Sequence, residues 1–167
     1  MTTVTLDTNL VDDQRLLTAA QRAGFKVAHT SVTDRELSRS GVASAEGRKA
    51  QLFETGLVGE SVAGMFVPGA EHESTNLEEI LDVISSRSFP RGENRERLSN
   101  GQRRQLRDAM ILSTHVRERR EIFVTNDRRG FVDNGRREFF EEKFGTKIMT
   151  GEEFLRLCCG NDVDKNV

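Results

Sequence analysis

The first thirty residues constrain the fold most tightly. They hold a strand-like run, Thr3–Leu6 (TVTL), then an amphipathic stretch, then a second strand-like run, Lys26–Thr30 (KVAHT). Between the runs, Leu10, Leu16, Leu17, Ala20 and Ala23 give a broad apolar helix face, Asp7-Thr8-Asn9 reads as the helix start and Gly24 as its C-terminal stop. Two strands joined through a helix form a βαβ unit, which pairs them in parallel with a right-handed crossover. A chain that begins this way is committed to a sheet covered by helices.

The alternation continues to the other end. Residues 31–40 read as a short helix with Thr33-x-x-Glu36 as its capping box, and residues 44–54 as another helix. Residues 56–69 are glycine-rich around MFVP. Leu77, Ile80, Leu81 and Ile84 then mark an amphipathic helix entered through Thr75 or Asn76. RSFPRGENRERLSNG is a polar connection, residues 106–116 are helical, and IFVTN is a strand. A helix at 139–144, a last strand at Lys147–Met149 and a final helix capped by Thr150-x-x-Glu153 complete the pattern. The pattern predicts a three-layer α/β sandwich around a mostly parallel sheet.

At 167 residues the chain fits one domain, 1–157, with an extended middle segment at about 44–100 and a polar tail at 158–167. Cys158 and Cys159 are adjacent, a poor geometry for an ordinary bridge and no spacing for zinc. There is no basic leader and no run of 18 apolar residues, so a soluble cytoplasmic protein without a membrane partner is expected.

Net charge is −2, but from Arg87 to Arg137 there are 14 Arg, no Lys and 7 acids, a local +7 against −9 elsewhere. Arginine's planar fork suits phosphate oxygens, although an Arg-rich segment is as often a solvated helix face. Without Trp or Tyr, base stacking would fall to Phe or to Arg itself.

Ligands of open parallel sheets bind beyond the carboxyl ends of the strands. Asp7 ends the first strand and Asp127 a later one. Asp108 lies on the helix feeding the Asp127 strand, and Glu36 follows the second strand. Four acids could therefore meet at one cleft. Clustered carboxylates are hard oxygen ligands for Mg²⁺ or Mn²⁺, and without a cation their mutual repulsion raises their proton affinity. With one or two ions they suit phosphodiester hydrolysis. Each acid also has a plainer reading: Asp7 as an N-cap, Glu36 as half of a capping box, Asp108 as a surface partner for Arg, Asp127 as a turn former.

VTLDTN, TDREL, LRDAMIL and FVTNDRRGF, in that order, resemble the four acidic motifs of the PIN domain family, including its VapC-like toxins. The resemblance implies an α/β/α sandwich with a five-stranded parallel sheet and a Mg²⁺- or Mn²⁺-dependent ribonuclease preferring single strands. It makes Asp7, Glu36, Asp108 and Asp127 the catalytic, metal-binding acids. Asn9 and Asn126 become polar supports or substrate contacts. The arginine-rich block, for its part, offers Arg103, Arg104, Arg128 and Arg129 as candidates to hold RNA. The resemblance also suggests a cognate antitoxin protein and a homodimer. The long middle segment departs from the compact toxins. The alternative is a catalytically silent PIN-like module that binds RNA or protein.

Other chemistries lack their signatures. Position 9 is Asn where a haloacid-dehalogenase phosphatase needs a second Asp, and neither a P-loop nor a G-x-G-x-x-G fingerprint occurs. His29, His72 and His115 show no metal spacing and read as structural or exposed.

Overall fold

The computed structural model describes residues 2–39, 51–56, 61, 66–67, 71–91, 95 and 97–160. Its sheet is built from β1 (Thr3–Leu6), β2 (Lys26–Thr30), β6 (Ile122–Val124) and β7 (Lys147–Met149), in the spatial order β2-β1-β6-β7. Every neighbouring pair is parallel: Val4 registers with Val27 and with Ile122, and Phe123 with Ile148. The expected fifth strand is reduced to a two-residue extension, β3 (Gln51–Leu52), which pairs in parallel with His29 and Thr30 at the β2 edge. The sheet proper therefore has four strands rather than five. A separate two-stranded ladder joins β4 (Glu54–Thr55) to β5 (Phe66–Val67).

Alternation along each strand splits the apolar residues between two faces. On one face Val4, Leu6, Val27, Ile122 and Val124 pack with Leu16 and Ala20 of α1 (Gln14–Arg22) and Phe154 and Cys158 of α7 (Gly151–Gly160). On the other face Phe123 and Ile148 pack against α3 (Glu71–Ile84), α4 (Asn100–Arg117), α5 (Arg128–Phe131) and α6 (Arg136–Phe144). The remaining helix, α2 (Ser31–Arg39), follows β2 without a loop and sends Val32 into one core and Leu37 into the other. This is an α/β/α sandwich.

Several boundaries differ from the sequence reading for identifiable reasons. Helix α1 starts at Gln14, not near Leu10, because the Asp13 side chain caps the Arg15 N–H. Leu10 and Val11 still reach the core from the preceding turn. The predicted helix at 44–54 lies partly outside the described residues. Its end is strand, with Leu52 and Glu54 buried on either side of exposed Phe53. Helix α3 begins at Glu71 rather than after Thr75. Helix α4 begins at Asn100, inside the predicted polar connection, because Ser99 and Gln102 form a reciprocal capping box. The box predicted at Thr150 and Glu153 is present. Cys158 is buried in the core, so helical structure runs into the predicted tail as far as Gly160.

Among the described residues, no helix is long and apolar enough to cross a membrane.

Candidate acidic site at the strand ends

All four strands of the sheet run the same way, so their carboxyl ends share one rim. The β1–β6 ladder continues one residue past β1, with the Asp7 N–H donating to the Val124 carbonyl at 3.0 Å. Likewise the Thr125 N–H donates to the Met149 carbonyl at 2.9 Å. The backbone bearing Asp7 is thus fixed to the neighbouring strand end before any side chain is considered.

Asp7 is 3% exposed and its carboxylate accepts three hydrogen bonds: from the Thr125 hydroxyl at 2.6 Å, the Asn9 amide at 2.9 Å and the Thr8 N–H at 2.8 Å. It does not cap α1, which removes its plainest alternative role. Three donors favour the ionised form, yet desolvation outweighs them, and with the fields of Glu36 and Asp127 the Asp7 pKa rises from 3.8 to about 6.

Thr125 serves two acids at once. Besides donating to Asp7, its hydroxyl accepts the Asp127 N–H at 3.0 Å. The Asp127 side chain caps α5 through the Gly130 N–H at 3.1 Å. A Cβ at Gly130 would lie 2.7 Å from Asp127 Oδ2, so a side chain at residue 130 would make the carboxylate shift from this position over the helix start. Asp127 is therefore a cap as well as a candidate ligand.

Glu36 is not engaged in the predicted capping box. Thr30 takes that place, accepting the Thr33 N–H at 3.2 Å. The Glu36 carboxylate instead accepts the Thr8 hydroxyl at 2.7 Å, while Arg107 Nη1 stands 4.0 Å from its other oxygen.

Asp108, on α4, has the most raised proton affinity of the acids whose shift is resolved, with a pKa near 8 in place of 3.8. Desolvation leads, followed by the fields of Asp7, Asp127 and Glu36, against which Arg104 gives partial relief. Asp7, Glu36 and Asp127 thus all act on Asp108, and Glu36 and Asp127 act on Asp7 as well. Even so, among the described residues no three acidic, His or Cys side chains are set to grip one ion together. The rim is a shared negative field rather than a finished chelate.

Asn9 and Asn126, both exposed, also brace the rim. Asn9 donates to Asp7 and accepts the Asn126 N–H at 3.3 Å, and Asn126 in turn accepts the Gly151 N–H at 3.1 Å. Two asparagines therefore tie β1, β6 and α7 together. Of the arginines expected to hold substrate, Arg128 turns away to Asp133 at 2.8 Å. Arg129 is exposed on α5, and Arg103 and Arg104 lie on α4. Thr8, Thr125, Gly130 and Arg107 were not singled out in the sequence. Thr8 and Thr125 could have been found as hydroxyls next to or near an acid at a strand end, and Arg107 as the residue preceding Asp108.

Two of the histidines are structural. The His115 ring is fully buried between the Thr5 hydroxyl at 2.9 Å and the Thr146 hydroxyl at 2.6 Å, and burial, aided by Arg120, lowers its pKa from 6.5 to about 3. His29 faces Asp34 at 3.1 Å. A surface cavity of about 530 Å³ lined by Glu79, Asp82, Val83, Ser86, Arg87, Phe139 and Lys143 contains none of the four acids.

No protein-family model matches the chain, and no curated protein matches it significantly. Its class is defined by architecture and rim alone: an α/β/α sandwich with a parallel sheet and acids at the strand ends.

Proposed function

We propose that the chain is a divalent-metal-dependent endoribonuclease of the PIN type. The observation that carries this reading is the hydroxyl and amide network that gathers acids from separate segments, Thr125 touching Asp7 and Asp127 and Thr8 touching Asp7 and Glu36, beside an Asp108 whose proton affinity all three raise. Buried like charges without compensation cost stability, and a set that no hydrogen bonding among the described residues relieves at Asp108 fits a cation. The donors are all carboxylate oxygens, the set preferred by Mg²⁺ and Mn²⁺. Asp7, Glu36, Asp108 and Asp127 would hold one or two such ions, which supply Lewis acidity and a water of lowered pKa. The chain's own part is positional: Thr125 and Asn9 orient Asp7, Thr8 orients Glu36, and the α5 start orients Asp127.

The test is labelled single-stranded RNA and DNA incubated with the protein in Mn²⁺ or in chelator. Metal-dependent cutting of RNA that Asp7→Asn abolishes is expected. Cleavage by Asp7→Asn at the wild-type rate would remove Asp7 from the mechanism.

A second reading, a silent PIN-like module binding RNA or protein, is favoured by the lack of a ready three-ligand grip among the described residues. It asks for no rearrangement of the acids. RNA binding without cutting in any divalent metal would establish it over the first. An antitoxin partner would present an arginine-bearing segment to the same rim, and co-purification of a small basic protein tests that.

A further inference from the structure

The chain leaves α3 through a backbone conformation that its residues disfavour. The Ser86 N–H donates to the Val83 carbonyl at 3.2 Å and the Arg87 N–H to the Asp82 carbonyl at 2.7 Å, the paired bonds that close a helix C-terminus. Such a closure turns one residue left-handed, and glycine is its usual occupant. Here that residue is Ser86, at φ +53°, and Arg87 follows it left-handed as well, at φ +62°. The closure accounts for the first and gives no reason for the second. Side chains kept at disfavoured backbone positions cluster where ligands are held. Ser86 and Arg87 both line the surface cavity of about 530 Å³, whose lining includes none of the four rim acids.

That volume is in the range of small-molecule sites. The two acids of the lining are already matched, Glu79 with Lys143 at 3.0 Å and Asp82 with Arg91 at 2.5 Å. Two guanidinium groups are not. Arg87 has no carboxylate partner among the described residues, and neither has Arg136, whose Nη2 donates to the Ser86 hydroxyl at 3.2 Å. Phe139 also lines the cavity, with 40% of its surface exposed. The second Glu79 oxygen is buried and accepts no hydrogen bond, so the lining holds an acceptor that lacks a donor.

Each of these features fits a different part of one ligand. Two unmatched guanidinium groups suit a dianion, an exposed ring suits a flat partner, and Glu79 suits an N–H or hydroxyl. A phosphate monoester carries about two negative charges at neutral pH, and a nucleoside adds the flat base and the donors. We infer that the cavity between α3 and α6 binds a free nucleoside monophosphate, with its phosphate on Arg87 and Arg136 and its base against Phe139. An aromatic carboxylate would bring half the charge that the arginines leave open. The site stands apart from the acids at the strand ends and depends on no reaction there.

The experiment is calorimetric titration of the full chain, in chelator, with AMP, GMP, CMP and UMP, and with adenosine and inorganic phosphate beside them. At least one nucleotide should bind saturably, and adenosine and inorganic phosphate should each bind roughly 10-fold more weakly or worse. Arg87→Gly should weaken nucleotide binding roughly 10-fold or more while raising the thermal unfolding midpoint, because glycine relieves the left-handed backbone. Phe139→Ala should weaken it roughly 5- to 100-fold. Arg136→Ala reads the same phosphate contact if Arg87→Gly fails to fold, which circular dichroism shows. Arg15→Ala, which removes an exposed cation from α1, should change nothing. Absence of saturable binding by all four nucleotides would overturn the assignment. So would wild-type affinity in folded Arg87→Gly or Arg136→Ala, or an equal loss in Arg15→Ala.

Discussion

Two buried polar clusters flank the sheet, and they resolve the cost of burial in opposite ways. Around His115 one ring meets two threonine hydroxyls, and the ring sheds its charge: burial holds it neutral down to a pH of about 3. Around Asp7 and Asp108 the groups carry charge of one sign, and burial together with mutual repulsion pushes their protons back on, to about 6 and about 8. The first cluster is complete within the protein. The second is complete only with protons or with a cation, and a site left incomplete in this way is a candidate for function rather than for packing.

The contrast has a sign in pH. His115 binds its proton less tightly folded than unfolded, so its stabilisation is present above pH 6.5 and is lost as pH falls toward 3. The acids bind protons more tightly when folded, so their contribution is present below pH 3.8 and is lost as pH rises through about 6 for Asp7 and about 8 for Asp108.

The largest effect should come from breaking the incomplete cluster at its most buried acid. Asp7→Asn should reduce Mn²⁺-dependent RNA cleavage by more than ~100-fold, beyond what loss of a supporting contact costs, with an unchanged circular dichroism spectrum. Next, His115→Leu should lower stability by ~2–4 kcal/mol, because the Thr5 and Thr146 hydroxyls lose their partner in the core. Urea unfolding measures it, and the response to Mn²⁺ should be untouched. Asp108→Asn should act in the opposite direction, raising stability in chelator at pH 8 by ~1–3 kcal/mol and flattening its decline above pH 4. Destabilisation instead would mean that Asp108 is compensated within the protein. The smallest effect is expected from Gly130→Ala. The new methyl displaces the Asp127 carboxylate, so cleavage should fall ~10-fold while stability changes by less than ~1 kcal/mol, since alanine also suits a helix better.

The parallel sheet was readable in the sequence because its strands are short apolar runs at regular intervals: TVTL, KVAHT, IFV and KIM fall where the pattern puts them. The elements that were misjudged depend on side chains bonding to backbone. Ser99 with Gln102 starts α4 inside a stretch that composition marks as a loop, and Asp13 rather than Asp7 starts α1. At the site, the four acids could be picked out because each follows a strand or sits on the helix leading to one. Their supports carry a fainter signal, a hydroxyl next to or near an acid at a strand end, and Thr125 looks like any strand residue until the ladder brings it to 2.6 Å from Asp7. Arg128, expected from the arginine-rich block as a substrate contact, is paired with Asp133 in this structure, an exposed ion pair that its position in the sequence did not announce.

The central claim is that the rim acids hold protons which a divalent cation would replace. Calorimetric titration of the protein with Mn²⁺ at pH 7, repeated in buffers of different ionisation enthalpy, measures binding and proton release together. The account predicts saturable binding with protons released, chiefly from Asp108, and loss of that release in Asp108→Asn. Absence of Mn²⁺ binding, or binding that releases no proton and is indifferent to Asp108→Asn, would contradict it.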